Sequence, residues 1–496
     1  PHQPVPDLSK TLFRYLGSLQ PLVSKDELES TRELVEEFLR PGGQGEELAK
    51  QLQKRAERTD NWVRTKSELS TYKMEQDCHN IKNKKKISVF PVSLSRFASK
   101  LISGVLDFKA KIESPDGLTE IWRGRPLCPH QYHDFFGSCR EPGYKRDRVL
   151  LQPAHKSLSQ YVTVCRNYQF FQMDVYNSDG SPLTEDQIHQ QMLFLRAHSY
   201  KTDKEPVGVL TTDHRNSWGR AYTTLIRANM HFQSLSSSRG PKRLPPRTPL
   251  TRLPPPKKLY FNFPPETKQH IENAKQNLDI LVNDLDICCF TFSDFGKSFP
   301  KKHNMRPGAF LQVALQLAYY RCHESLCATC EVVSLRTFHR GRSDVVRCSS
   351  SEALEFVQAA DEPNRLAGEK LSLLKKAVES HQCATEQVLQ GQSVDGTLLA
   401  LKMLCISSGA ALPAILMDTS YAVSSHWKLF TGQVSSPIDC VMCYGPLVPD
   451  GYSVCFAPSL DSITVCVSAF DCCQETDAQK LSDSLQGALR DMQSLI

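Results

Sequence analysis

The chain has 496 residues, 40% hydrophobic and 23% charged, with 60 Lys+Arg against 54 Asp+Glu for a formal net charge of +6. That length exceeds one ordinary core and predicts two domains, while the balanced charge and apolar content exclude a disordered chain. No apolar run reaches the ~18 residues of a membrane helix, and so small a positive excess does not itself imply nucleic acid.

The 18 Cys are numerous, but the chain is far too long for a disulfide-stapled miniprotein. Many sit in apolar runs, such as Cys288 and Cys289 or Cys455 before Phe456, and read as buried free thiols of a reducing, intracellular compartment. The sequence opens on Pro1, which suggests a start after a removed targeting segment, and no secretory signal is visible. Its last residues, Ser494-Leu495-Ile496, do not form a peroxisomal address.

Along the chain, residues 8–58 read as helices: Leu12, Tyr15, Leu16 and Leu19 keep helical spacing, and Ser24 with Glu27 forms a capping box. Residues 65–87 are polar and aperiodic and end in Lys82-Asn83-Lys84-Lys85-Lys86, a solvated loop or a nucleic-acid patch. Residues 97–106 and 184–197 read as helices, and 161–166 and 169–175 as strands. Between Gly240 and Lys257 stand seven Pro interleaved with Lys242, Arg243, Arg247 and Arg252, an extended linker or a Pro-rich ligand. Beyond it, 267–284 reads as a helix, 287–292 as a strand, 307–320 as an amphipathic helix and 477–492 as a closing helix.

Several stretches, in order, carry a resemblance: Pro4 to Leu12, Leu101-Ile102-Ser103-Gly104, Pro126-Leu127-Cys128, Asn167-Tyr168-Gln169, Arg215-Asn216-Ser217-Trp218, Phe295-Gly296-Lys297, Met417-Asp418-Thr419-Ser420-Tyr421 and Gly445-Pro446-Leu447-Val448-Pro449-Asp450-Gly451-Tyr452. The chain so resembles the choline/carnitine acyltransferase family over most of its length. The resemblance implies an α/β fold of two chloramphenicol-acetyltransferase-like mixed-sheet domains. They would be preceded by N-terminal helices over 8–63, with the first domain at 94–230, the Pro-rich basic linker at 235–258 and the second domain at 259–496. It implies transfer of short acyl groups between coenzyme A and carnitine, with one histidine as general base and a Ser-Thr-Ser segment stabilising the oxyanion. It also implies a monomer in a mitochondrial or peroxisomal compartment. Acyl-CoA is a substrate, so no bound cofactor is implied.

The family histidine follows a glutamate. None of the 15 His here does; His214, for one, follows Asp213. A block of the first domain is missing after Ile226, and the family pattern resumes near Pro249, so the first domain reads as incomplete and no catalytic residue is assigned. The Ser-Thr-Ser-Gln segment is replaced by Phe430-Thr431-Gly432-Gln433, a Tyr-Glu-Ser segment by Cys330-Glu331-Val332, and the carboxylate-binding Arg by Gly396. Ser343, Thr431 and Tyr444 are what remains of the carnitine pocket. Each lost polar contact costs about 1–3 kcal/mol, and Gly cannot supply an Arg fork, so carnitine binding is doubtful. On the coenzyme A side, Lys297 and Lys301 match phosphate-contacting lysines, with Lys302 beside them, and Gln433 matches a further contact; a lysine can neutralise a phosphate without strict geometry.

Three other chemistries have partial signatures in the sequence. Cys327-Ala-Thr-Cys330 and Cys440-Val-Met-Cys443 have zinc-like spacing, but the resemblance assigns them no metal. Cys322 and His323 are neighbours that would point apart on a helix. The basic runs lack interleaved aromatics, against a nucleic-acid module.

Overall fold

A computed structural model describes residues 1–63, 94–114, 117–143, 147–151, 160–177, 179–202, 205–229, 254–434 and 441–496. The lysine run at 82–86, most of the Pro-rich linker and Cys440 lie outside the described residues. The chain divides into two compact units, residues 1–68 with 283–496, and residues 69–282. The N-terminal helices thus belong with the C-terminal half.

The first unit is built on a six-stranded mixed sheet in the order β10-β9-β11-β12-β13-β8. Its strands are β8 (Leu285–Phe292), β9 (Thr329–Ser334), β10 (Ser343–Arg347), β11 (Leu429–Gln433), β12 (Tyr452–Pro458) and β13 (Ile463–Phe470). Strand β11 runs parallel to both β9 and β12, and the other pairings are antiparallel. Side chains alternate across the strands. On one face Leu429, Tyr452, Val454, Phe456, Val465 and Val467 form the main core with the helices Pro307–His323, Ala367–Leu389 and Ala478–Ser494. The Pro307–His323 helix was expected to be amphipathic, yet every residue from Ala309 to Tyr319 is buried. Each of its two Gln side chains has one buried partner: Gln312 Nε2 donates to Thr431 Oγ1 at 2.8 Å and Gln316 Oε1 accepts from Ser349 at 3.2 Å.

The N-terminal helices Leu8–Leu19, Lys25–Phe38 and Gln44–Arg58 form a second core with the Val394–Ser408 helix through Leu12, Tyr15, Leu16, Leu48, Leu398 and Leu401. The capping box at Ser24 and Glu27 forms as expected. A buried ion pair crosses this region. Arg347, at the end of β10, donates from Nε and Nη2 to Asp395 at 2.9 and 2.8 Å, and its guanidinium lies between the Tyr15 and Trp427 rings.

In the second unit the helix read at 97–106 runs over Leu94–Glu113. It packs on the Glu185–His198 helix, whose N-cap Thr184 forms a capping box with Gln187. Strands β5 (Tyr161–Arg166) and β6 (Gln169–Asp174) form a hairpin joined by β7 (Lys257–Leu259). Lys257 and Lys258, read as the end of a linker, therefore belong to a strand paired with Gln172 and Phe171. An edge strand tolerates basic residues and adjacent prolines because one of its backbone rows needs no partner. The other pairs are β1 (Glu120–Trp122) with β2 (Arg125–Leu127), and β3 (Ser138–Glu141) with β4 (Arg148–Leu151). Among the described residues no sheet of this unit exceeds three strands.

Candidate functional site

The sheet face opposite the main core carries Cys330, Phe430 and Gly432, positions where the resemblance expects carnitine-binding residues. Across it Cys330, Phe430, Ser453 and Ser468 stand in register, and a second row runs Gly432, Cys455, Cys466, Cys289. The loop before β12 lays Tyr444 over both rows: its ring meets Phe430 with centroids 4.8 Å apart. Its hydroxyl stands where a side chain at Gly432 would begin, for a Cβ there would lie 2.5 Å from that oxygen. The hydroxyl also lies 3.4 Å from the Val454 carbonyl, and Ser468 Oγ donates to the Tyr444 carbonyl. Burial, then the Cys455 thiol beside it, pushes the phenol well above its usual range.

Of the three residues expected in the carnitine pocket, only Tyr444 sits on this face at its centre. Thr431 points the other way: it is fully buried, accepts from Gln312 and donates to the Cys330 carbonyl at 2.8 Å. Ser343 is exposed at the start of edge strand β10, paired with Ser334. At Gly396 the space an Arg side chain would enter is taken, since a Cβ there would lie 2.5 Å from Asp344 Oδ2.

The residues expected for coenzyme A gather at another margin of the sheet. Gly296 is pressed against the β12–β13 turn, where a Cβ would meet Ser462 N at 2.4 Å and Leu460 O at 2.5 Å. Lys297 N donates to Ser459 O and Ser298 N to Leu460 O, which fixes the start of the short helix Ser298–Lys302. Lys301 and Lys302 are exposed and Lys297 half-buried. None of the three has a carboxylate partner among the described residues. Gln433, also exposed, ends β11 beside Gly308, on the first turn of the Pro307–His323 helix.

Other expectations were settled by geometry. His323 Nε2 lies 3.2 Å from the Tyr452 hydroxyl while Cys322 Sγ faces the Lys480 carbonyl, so the two do not work as a pair. Cys289, read as buried, is exposed, and its sulfur lies 3.2 Å from that of Cys466. Cys327 and Cys330 are buried thiols held well above their usual range by burial. His214 caps the Arg215–Ala228 helix. No described helix is long and apolar enough to cross a membrane.

Sequence reasoning missed three features: the Arg347–Asp395 pair, the Tyr444 hydroxyl over Gly432, and a buried cluster of Glu331, Cys348 and His381. Only the Phe430/Gly432 replacement left a signal in the sequence, a large side chain gained beside one lost.

Comparison with known proteins agrees with the motif order. Carnitine O-acetyltransferase of Columba livia is 39% identical over 584 aligned positions, which cover 100% of this chain and 93% of the relative. Since the chain has 496 residues, about 88 of those positions, 584 less 496, face a gap in it. Choline O-acetyltransferase of Mus musculus is 30% identical and covers 100% of this chain and 92% of that relative. A solved structure concerned with condensation domain-mediated chain release from the enacyloxin polyketide synthase is 11% identical, with a TM-score of 0.30 over 73% of this chain and 72% of that one. The Choline/Carnitine O-acyltransferase family profile matches in two pieces, residues 3–237 and 231–487. With both pieces matched and full-length relatives at this identity, the chain belongs to the choline/carnitine O-acyltransferase family.

Proposed function

We propose that this chain is a catalytically disabled member of its family. It keeps a basic surface for the phosphates of coenzyme A but does not transfer short acyl groups to carnitine. One observation carries the reading: none of its histidines follows a glutamate, so the general base that the family resemblance requires is missing. That the family profile matches in two separate pieces, meeting at residues 231–237, and that the aligned length exceeds the chain's 496 residues, supports a block missing from this chain. The carnitine side is also filled, by Phe430, by the Tyr444 hydroxyl over Gly432, and by Asp344 at Gly396. A monomer, without nucleic acid, in the compartment of its family completes the reading.

The test is the purified chain with acetyl-CoA and carnitine, following thiol release. We expect no release above the enzyme-free rate. Turnover abolished by substitution of one particular histidine would overturn the reading. Coenzyme A binding is tested separately by titration calorimetry. Replacing Lys297 and Lys301 by Ala should weaken affinity by about tenfold or more, since each lysine would make a charged hydrogen bond. Equal affinity in the variant would sink the phosphate assignment.

A further inference from the structure

On the helix-covered face of the large sheet, three ligand-bearing side chains converge inside the main core. Glu331 comes from β9, Cys348 from the residue after β10, and His381 from the Ala367–Leu389 helix. One donor atom from each, a carboxylate oxygen, a sulfur and a ring nitrogen, lies within 4.8 Å of the others, and all three residues are buried. His381 is 6% exposed, and its Nε2 has no hydrogen-bond partner although Glu331 Oε2 is only 3.4 Å away.

The surroundings make this costly for the protein alone. A buried carboxylate and a buried imidazole nitrogen without a hydrogen-bond partner each carry a desolvation penalty. Among the described residues no Lys or Arg offsets Glu331, which has Gln312 as a hydrogen-bonding influence and His381 within ion-pair distance. Gln312 Oε1 and Gln316 Nε2, on the facing helix, are buried and unpartnered as well. The region thus holds buried polar donors and acceptors without enough partners among the described side chains.

We propose that Glu331, Cys348 and His381 form a divalent-metal site, with zinc the cation that the donor set favours. Carboxylate, thiolate and imidazole are all ordinary zinc ligands, and a tetrahedral site needs only one more donor. Charge balances: one carboxylate and one thiolate offset the dication, the neutral imidazole adds nothing, and the thiol proton leaves on binding. The filled site is therefore neutral, as a low-dielectric core requires. It ties the edge of the sheet to the Ala367–Leu389 helix, so its role is structural. A second trio, His2, Asp60 and His339, is exposed. There Arg340 already neutralises Asp60 at 3.2 Å, which removes the need for a cation.

The test uses the full chain stripped with chelator and then titrated with Zn²⁺ or Co²⁺. We expect one tightly held zinc per chain after gel filtration, and with cobalt a thiolate-to-metal charge-transfer band in the near ultraviolet. Cys348→Ser should abolish that band, and Glu331→Gln should keep it while weakening affinity by more than about tenfold. Zinc should raise the melting temperature of the parent chain and not that of Cys348→Ser. A parent chain that retains no metal would overturn the proposal. So would a band that survives Cys348→Ser, which would place the metal on other cysteines. If Cys348→Ser fails to fold, Glu331→Gln decides: unchanged zinc affinity there refutes the site. None of these readouts depends on acyl transfer or coenzyme A, so this proposal and the functional reading fail independently.

Discussion

The occlusion of the sheet face by Tyr444 can be measured by substituting Gly432. A Cβ on residue 432 would lie 2.5 Å from the Tyr444 hydroxyl oxygen, 3.5 Å from Cζ and 3.7 Å from Cε1. A carbon approaches an oxygen comfortably no closer than about 3.3 Å, so the hydroxyl must retreat by close to 1 Å. It has little room to do so, with the Val454 carbonyl at 3.4 Å and Phe430 against the ring. Overpacking of this kind costs about 1–3 kcal/mol, and Gly432→Ala should lose that much in urea unfolding at an unchanged m-value. In a Tyr444→Phe background the offending oxygen is gone, and the next atoms stand at ordinary contact distance. There the same substitution should cost only a few tenths of a kcal/mol, within the usual range for benign changes. The double-mutant cycle would then show a coupling of about 1–3 kcal/mol. Equal cost in both backgrounds, or no cost in either, would refute the claim that the hydroxyl fills the place of the missing side chain. Gly432→Ser meets the same obstruction and should cost at least as much as Gly432→Ala.

Four further outcomes are expected. Asp395→Ala strands the Arg347 guanidinium between two aromatic rings without its carboxylate, and thermal and urea unfolding should report a loss of about 3–5 kcal/mol. Gly296→Ala drives a Cβ into the backbone of the β12–β13 turn and should cost about 3 kcal/mol or more; because this turn anchors Lys297, coenzyme A titration of the folded fraction should weaken too. Cys443, which accepts a hydrogen bond from the Cys466 thiol, is held below the usual thiol range. A thiolate is the reactive form, so the rate of iodoacetamide labelling at Cys443, followed by mass spectrometry, should level off at lower pH than at Cys322, where burial raises the pKa. Finally, amides of residues 160–174 should exchange faster than those of residues 452–470, because a three-stranded sheet leaves more backbone at its edges.

What could be read in the sequence was whatever depends on near neighbours. Ser24 with Glu27 announces a helix start because the two groups satisfy each other's backbone three residues apart. The β5–β6 hairpin shows in its aromatic and β-branched residues. The Pro307–His323 helix misled because Gln312 and Gln316 suggested a wet face. Their true partners, Thr431 and Ser349, lie far along the chain, and local periodicity is blind to them. Lys257 and Lys258 looked like linker for the same reason, since only pairing with β6 makes them a strand. Lys297 and Lys301 are singled out in the sequence only through the adjoining Phe295-Gly296 motif. Glu331, Cys348 and His381 were not, because a strand, a loop and a helix supply one residue each.

Strand alternation explains how the pocket and the core could part company. Cys330 and Val332 alternate with Glu331 along β9, and Phe430 and Gly432 alternate with Thr431 along β11; Cys330 pairs with Phe430 and Glu331 with Thr431. Adjacent paired residues share a face, so the four residues of these two strands that the resemblance reads as replaced, Cys330, Val332, Phe430 and Gly432, all lie on the face toward Tyr444. The two that keep it lie on the face toward the Pro307–His323 helix. Packing selects on that second face, where Thr431 is fully buried and bonded to Gln312, and a change there would leave buried groups unpaired. On the first face a hydroxyl exchanged for a thiol, a phenyl ring or a hydrogen costs the fold little once Tyr444 closes over the gap. Residues on this face can therefore change one by one while the sheet beneath them keeps its core.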